Sequence, residues 1–416
     1  MKALVSAGGF GTRIRSASAN VPKPMIKVDD VPVLERTILQ LKKYGICDLI
    51  ITVSYLKEQI IDYFGNGESF GVNISYFEED EPLGSAGALF KLKNEFADDF
   101  LVLNGDIIFD VDLNKMIEYH IKNDALITLF AHPNTHPYDS TLISYDKNKV
   151  VCDLFKGKNR PKYYKNCVNA GIHILNPKVF DCLSDNGDEV KNFDKDLIIP
   201  ALETKKVFAY LSCEYVKDMG TPDRLITVTE DVKSGKVEKK NLKNKQKAIF
   251  LDRDGTINKY VGFLSDINDF ELIDNVADAI KDINESDFLA IVITNQPVIA
   301  RGEVTFEELE EIHKKMETLL GEKGAYVDAI YYCPHHPDKG FDGEIAALKT
   351  DCDCRKPKPG LFYKAAKDFN IDLSKSIMIG DSDIDVKAGE NAGCRSVKIY
   401  NAKKFWKNFE LKAMLK

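Results

Sequence analysis

The chain reads as two α/β domains in tandem, and three features of the sequence predict it. Residues 1–231 alternate short apolar runs with helix-period segments, the βαβ rhythm of a mostly parallel sheet. The run Asp231 to Lys247 is rich in lysine and poor in large apolar residues, the composition of a linker, here assigned to 232–246. From Lys247 a second βα alternation occupies 247–416. A length of 416 residues, 44% hydrophobic and 29% charged, lets each domain bury its own core.

The first expected strand, 3–6, runs straight into Gly8-Gly9-Phe10-Gly11-Thr12-Arg13. Glycines directly after a strand let backbone N–H groups approach a phosphate chain without Cβ clashes. Pro22 and Pro24 then hold Lys23 on an extended segment and fix its direction. A helix over 33–44 follows, then strands at 49–53 and 73–77 and the turn Glu81-Pro82-Leu83-Gly84-Ser85-Ala86-Gly87. The strand 100–103 delivers Asn104-Gly105-Asp106, and a helix over 112–122 leads to a strand at 125–130. Further along stand Asn169-Ala170-Gly171 and Lys217-Asp218-Met219-Gly220-Thr221-Pro222. The lysines before 247 could form a nucleic-acid arm, but a solvated linker is the preferred reading.

In the second domain the strand 247–251 is followed by Asp252-Arg253-Asp254-Gly255-Thr256, and the strand 376–379 by Gly380-Asp381-Ser382-Asp383-Ile384-Asp385. Carboxylates placed just past parallel strands collect at one sheet edge, where α/β proteins seat ligands. Like charges converging there call for a cation, and hard oxygens suit Mg²⁺. Asp252 and Asp254 are two apart, so on an extended segment they share a side and can divide nucleophile and acid/base roles. Helices are expected at 276–286 and 305–320. The strand 288–294 between them delivers Thr294, Asn295 and Gln296, groups suited to holding phosphate oxygens. Arg355 and Lys356 can neutralise a transferring phosphoryl group.

Cys333-Pro334-His335-His336 and Cys352-Asp353-Cys354 offer a four-ligand soft set for tetrahedral Zn²⁺. Such a closed set is structural: it pins a loop and aims Arg355 and Lys356. The third ligand is His335 or its neighbour His336.

The C-terminal residues resemble the haloacid-dehalogenase superfamily of phosphatases. The resemblance implies that Asp252 is the nucleophile of an aspartyl-phosphate and Asp254 the acid/base, with Thr294 and Lys356 positioning phosphate. It also implies Mg²⁺ held by Asp252, Asp381 and the backbone carbonyl of Asp254, with Asp385 in support. The zinc loop and Asn295-Gln296-Pro297-Val298-Ile299-Ala300-Arg301-Gly302 look like the heptose 1,7-bisphosphate phosphatases and the related histidinol-phosphate phosphatases. That pattern selects His335 as ligand and puts Asn295 and Arg301 near the substrate. Pro297 departs from it, where better-known members carry a small hydroxyl residue.

The N-terminal series resembles the sugar-1-phosphate nucleotidyltransferases, closest to the heptose-1-phosphate guanylyltransferases in the spacing from Thr12 to Pro24. It implies Mg²⁺ on Asp106 and Asp218, charge neutralisation by Arg13 and Lys23, a triphosphate wrapped by Gly8, Gly9 and Gly11, and Gly84 near the base. Asn104, Lys158 and Asn169 are candidate substrate contacts. Gly157 stands where the family often carries an acid. The fold implied is a Rossmann-like (GT-A type) nucleotidyltransferase followed by a haloacid-dehalogenase-like Rossmannoid phosphatase with a zinc loop.

A net charge of −8 argues against a nucleic-acid partner, and no apolar stretch reaches the roughly 20 residues of a membrane span. The start lacks a signal-peptide pattern, so the nine cysteines are read as reduced and the protein as cytoplasmic, with homo-oligomerisation left open. The expected substrates are a sugar phosphate and a nucleoside triphosphate, GTP by resemblance. The alternatives are a histidinol-phosphate or other small-phosphomonoester phosphatase fused to a different sugar-1-phosphate nucleotidyltransferase, and an N-terminal sugar-nucleotide sensor without turnover. The tail from Phe405 to Lys416 is partly amphipathic and is expected to pack on the phosphatase domain or in a dimer interface.

Overall fold

The strand Lys2–Ser6, apolar on both faces, is flanked by parallel neighbours, as a buried central strand must be. Asp48–Val53 lies on one side, extended by Asn73–Glu78, and Phe100–Asn104 lies on the other. In this computed structural model, which describes residues 1–9, 20–183 and 190–414, the sheet has nine strands. Beyond the parallel core, Val168–Leu175 runs antiparallel to Phe100–Asn104, and Val207–Leu211 lies parallel to Ile127–His132. The helix Val33–Lys43 buries Val33, Leu34, Thr37, Ile38 and Leu41, one apolar stripe at helical spacing, against the core formed by Ala3, Val5, Ile51 and Leu103. An antiparallel ribbon, Ile107–Asp110 with Tyr215–Asp218, pairs Asp218 with Ile107.

The second sheet is wholly parallel, in the order Ala329–Cys333, Phe288–Asn295, Lys247–Leu251, Ile377–Gly380, Arg395–Lys398. Chain order reverses at the central strand Lys247–Leu251, the switch point where such sheets open a crevice past their carboxyl ends. The helices Val276–Glu285 and Phe306–Glu322 pack their buried faces on it, the latter opened by a capping box from Thr305 and Glu308. The tail folds onto this core: Trp406, Phe409 and Leu411 are buried, and the Trp406 indole N–H donates to the Thr256 carbonyl at 2.7 Å.

The lysine-rich stretch departs from the expected solvated linker. Residues 222–233 are helical, Lys236–Lys239 forms another helical turn, and Asp231, Lys236, Val237, Lys240 and Asn241 are buried. Asp231 gathers Lys217 at 2.6 Å and Lys236 at 3.5 Å, while Val237 joins Met219 and Val228 in an apolar cluster. Lysine stems cover apolar surface, which composition alone does not reveal. Cα proximity divides the chain into Met1–Ala131 with Ile143–Leu154 and Asn169–Asn241, and His132–Leu142 with Phe155–Val168 and Leu242–Lys416, rather than at 231 and 247. Within the second unit the backbone N–H groups of Tyr164 and Asn166 donate to the side chains of Thr318 and Glu317. No helix among the described residues is long and apolar enough to cross a membrane.

Candidate active sites

Asp252 leaves the central strand of the second sheet with its backbone N–H donated to the Ile379 carbonyl at 3.0 Å, which sets the two acidic signatures side by side. Asp252, Asp381 and Asp385 each offer a carboxylate oxygen within 4.8 Å of the others. The Lys356 ammonium, almost wholly buried, donates to Asp252 at 2.7 Å and to Asp385 at 2.5 Å. Asp385 also accepts the N–H and hydroxyl of Ser382, the N-cap of the helix Asp383–Ala392.

Burial above all, then the Asp385 and Asp254 carboxylates, push the Asp252 carboxyl up to about 7 against the pull of Lys356. Asp381 is raised chiefly by burial and then by Asp385. Burial disfavours the Lys356 charge, but Asp252 and Asp385 outweigh it and raise the ammonium above its usual range. Three carboxylates around one ammonium leave excess negative charge on hard oxygens, so the donor set fits a divalent cation such as Mg²⁺. Gly255, at φ 80, lets the chain pass Asp381: a Cβ there would fall 2.1 Å from its Oδ2.

Asp254 sits in a different environment. Its carboxylate accepts bonds from Arg253 Nη2 and Gln296 Nε2, each at 2.9 Å, and from Asn258 Nδ2 at 3.0 Å. Burial raises it, yet the Arg253 guanidinium and these bonds win and hold the carboxyl below its usual range. Arg253 is fully buried and also meets Gln296 and His313.

The amides expected to hold phosphate oxygens also make hydrogen bonds within the protein. Asn295 Oδ1 accepts the Lys356 backbone N–H at 3.0 Å, and its Nδ2 donates to the Lys356 carbonyl at 3.1 Å. Gln296 bridges Asp254 to the buried Thr294 hydroxyl at 2.9 Å. These two side chains therefore position Lys356 and Asp254. Pro297 opens the short helix Pro297–Ala300, where a missing N–H costs nothing, and Arg301 follows.

Cys333, His335, Cys352 and Cys354 converge from the end of an outer strand and the loop before Lys356. Their sulfurs lie 3.2–3.5 Å apart, and His335 Nδ1 lies 3.3 Å from Cys354 and 3.6 Å from Cys333. A metal about 2.3 Å from each thiolate sets tetrahedral edges near 3.8 Å, so the set fits Zn²⁺ after slight expansion. His336 turns its Nδ1 to the Asp338 carbonyl instead. Arg355 Nη1 donates to the His335 carbonyl at 3.0 Å, which binds the loop to the residue next to Lys356.

In the first unit, Gly8, Gly9, Lys23, Gly84, Asn104 and Asp106 line one cavity of about 410 Å³. Lys23, on the turn Lys23–Met25, donates to Asp106. Asp218 is brought alongside by the antiparallel ribbon: Met219 N–H donates to the Asp106 carbonyl at 3.1 Å. Its carboxylate is engaged by Arg224 at 2.9 Å and by the Gly220 N–H at 2.7 Å. Asn169 accepts the His173 Nε2–H at 2.8 Å, and burial drives that imidazole down to about 3, so it is neutral. Lys158, which belongs to the second unit, lies exposed on a short turn that starts at Gly157, whose φ of 59 suits glycine better than an acidic residue. Gly11, Thr12 and Arg13 lie outside the described residues.

Sequence reasoning missed Arg253 and His313, which act behind Asp254, and Glu79, which lines the first cavity. It also missed His173 behind Asn169. Arg253 stood inside the Asp252–Thr256 motif without a role, and no motif marks His313, Glu79 or His173; their tasks come from the groups that the fold sets beside them.

Comparison with known proteins matches residues 2–235 to the nucleotidyl transferase family and residues 353–402 to the HAD-hydrolase-like family. The chain is 43% identical over 141 residues to a D-glycero-β-D-manno-heptose-1,7-bisphosphate 7-phosphatase of Yersinia pestis, spanning 34% of this chain and 73% of that protein. It is 34% identical over 225 residues to a D-glycero-α-D-manno-heptose 1-phosphate guanylyltransferase of Aneurinibacillus thermoaerophilus, spanning 54% of this chain and 94% of that protein. A Bacillus anthracis structure assigned as a glucose-1-phosphate thymidylyltransferase matches 55% of this chain and 94% of its own, with TM-score 0.50 and 21% identity, a likeness of fold alone. The chain belongs to the nucleotidyl transferase family through residues 2–235 and, through its C-terminal part, to the family of the heptose-bisphosphate 7-phosphatases, as a fusion of transferase and phosphatase.

Proposed function

We propose that the chain makes a nucleotide-activated heptose in two steps. Its phosphatase removes the 7-phosphate of D-glycero-D-manno-heptose 1,7-bisphosphate. Its transferase moves GMP from GTP onto the heptose 1-phosphate and releases pyrophosphate. The relatives named for these two activities support the pairing. The observation that carries the phosphatase reading is the buried Lys356 ammonium on Asp252, with Asp381 and Asp385 beside it.

In the first half-reaction an Asp252 oxygen attacks phosphorus, the bond to the sugar oxygen breaks, and Asp254, lifted out of its depressed resting range by the negative charge of the phosphate beside it and so protonated, gives that oxygen its proton. Water then attacks the aspartyl-phosphate while Asp254 takes its proton, which frees phosphate and restores both residues. Lys356 neutralises the phosphoryl oxygens throughout. Mg²⁺ on Asp252, Asp381 and the Asp254 carbonyl would add charge neutralisation, and Zn²⁺ on Cys333, His335, Cys352 and Cys354 would hold the loop that carries Lys356. In the transferase, a sugar-phosphate oxygen attacks the α-phosphorus in line. Lys23 and Arg13 draw charge from the triphosphate, and Asp106 and Asp218 would hold a Mg²⁺ ion that would neutralise more of it.

The two relatives named above differ in anomer, β for the phosphatase and α for the guanylyltransferase. Consecutive action needs one anomer, and guanylyl transfer favours α. The test supplies α- or β-bisphosphate with mixed nucleoside triphosphates and identifies products by mass spectrometry. GDP-heptose from the α-anomer is expected. Faster release of phosphate from histidinol phosphate, or binding of GTP without pyrophosphate release, would overturn the respective half.

A further inference from the structure

The proposed substrate carries two phosphates, of which Asp252 accepts one, so the other needs a cationic contact of its own. Arg301, stacked on two rings, is a candidate for it. Its guanidinium carbon lies 3.7 Å from the centroid of the Phe263 ring and 4.4 Å from that of Phe341. A guanidinium stacked on aromatic rings keeps its edge N–H groups for planar recognition of phosphate. Its ionic partner Glu303 stands at 3.8 Å and is exposed, and the buried Nε has no hydrogen-bond partner.

Phe341 is itself held in place. The Glu344 carboxylate accepts the N–H groups of Gly340 and Phe341 at 2.9 and 3.1 Å. The buried Lys349 ammonium lies 3.4 Å from Glu344 and 4.5 Å from the Phe341 centroid. Ile345 N–H donates to the Ala300 carbonyl at 3.0 Å, which ties this segment to the turn carrying Arg301. Residues 340–349 belong to the loop between His335 and Cys352. The same metal-binding loop thus carries the ring and leads into Lys356. Arg301 follows the helix Pro297–Ala300, just past Asn295, whose amide pairs with the Lys356 backbone.

We infer that Phe341 and Phe263 are positioning residues that clamp Arg301 as the contact for the phosphate that is not transferred. This rests on the bisphosphate reading above. The full-length protein is assayed with heptose 1,7-bisphosphate and with p-nitrophenyl phosphate, which has no second phosphate. Phe341→Leu should raise KM for the bisphosphate about tenfold. Its kcat, its KM for p-nitrophenyl phosphate and its zinc content should stay within about twofold. Phe341→Tyr should restore KM, and Phe263→Leu, on a separate segment, should reproduce the split even if Phe341→Leu disrupts the loop. An unchanged bisphosphate KM in both leucine variants would overturn the clamp while leaving the bisphosphate function intact. A parallel loss on both substrates with zinc retained would also overturn it. A wild-type protein with no preference for bisphosphate over monophosphate would remove the reading beneath it.

Discussion

Replacing Lys356 by methionine keeps the length of the side chain and removes its charge. The ammonium lies 2.7 Å from Asp252, and its side chain is 3% exposed. At that distance, with an effective dielectric near 20, each ion pair is worth about 6 kcal/mol before desolvation. Removing one partner of a buried pair costs about 3–5 kcal/mol net, because the remaining charge is stranded. Asp252 can escape that cost by taking a proton. Asp252 already sits at about 7 in the fold against an ordinary 3.8. Protonation therefore protects the variant below neutrality, and its destabilisation should grow as pH rises from 5 to 8. The lost cation also leaves the transferring phosphoryl group without its neutralising charge, about 4 kcal/mol or a thousandfold in kcat. Phosphate release measures the second effect, pyrophosphate release from GTP is the internal control, and thermal unfolding at pH 6 and pH 8 measures the first. Phosphatase activity within tenfold of wild type, or a larger stability loss at pH 6 than at pH 8, would refute the reasoning.

Asp252→Asn should abolish phosphate release and leave pyrophosphate release intact, while Asp106→Ala should do the reverse; a joint loss in either variant would show that the two chemistries are not separate. Stripping Zn²⁺ with a chelator should slow phosphate release by roughly tenfold or more through the Cys354–Lys356 segment, with metal content read by elemental analysis; unchanged turnover in zinc-free protein would contradict the loop's role. Glu317 is buried, and burial first, with Glu310 next, pushes its carboxyl up to about 7 from 4.5. The neutral form is the one the fold prefers. The stabilisation it confers is complete below pH 4.5 and is lost as pH rises through 7, in total about 3 kcal/mol. Glu317→Gln should flatten that part of the stability–pH curve and gain most at pH 8, as denaturant midpoints would show.

Much of the site was legible because strand ends are legible. Apolar runs at 247–251 and 376–379 announced buried strands, and what followed each had to emerge at one sheet edge. The spacing Cys-x-His with Cys-x-Cys carried its own coordination chemistry, although only the fold turned His336 toward Asp338. The linker misled because composition reports polarity and not pairing. Lys236 is buried since Asp231 waits for it and Val237 has an apolar cluster to join. Asn295 and Gln296 looked like phosphate ligands because an amide's chemistry is visible in sequence, whereas its partner is not. The strand Val168–Leu175 was missed because its pairing is antiparallel to a segment far upstream.

By itself the sequence determined which groups exist and which local geometry they leave from: glycines after a first strand, aspartates after two others, four soft ligands in two pairs. These follow from interactions between near neighbours, such as helix stripes, turn residues and ligand spacing. Only the tertiary structure decided who meets whom. Lys356 reaches Asp252 across 104 residues because sheet order puts Ile377–Gly380 against Lys247–Leu251 and the loop of Cys352 and Cys354 leads the lysine over both. Arg301 lies between two rings, and Asn295 grips the Lys356 backbone, for the same reason. Long-range packing assigns each polar group its partner, and the partner sets its charge state and its task.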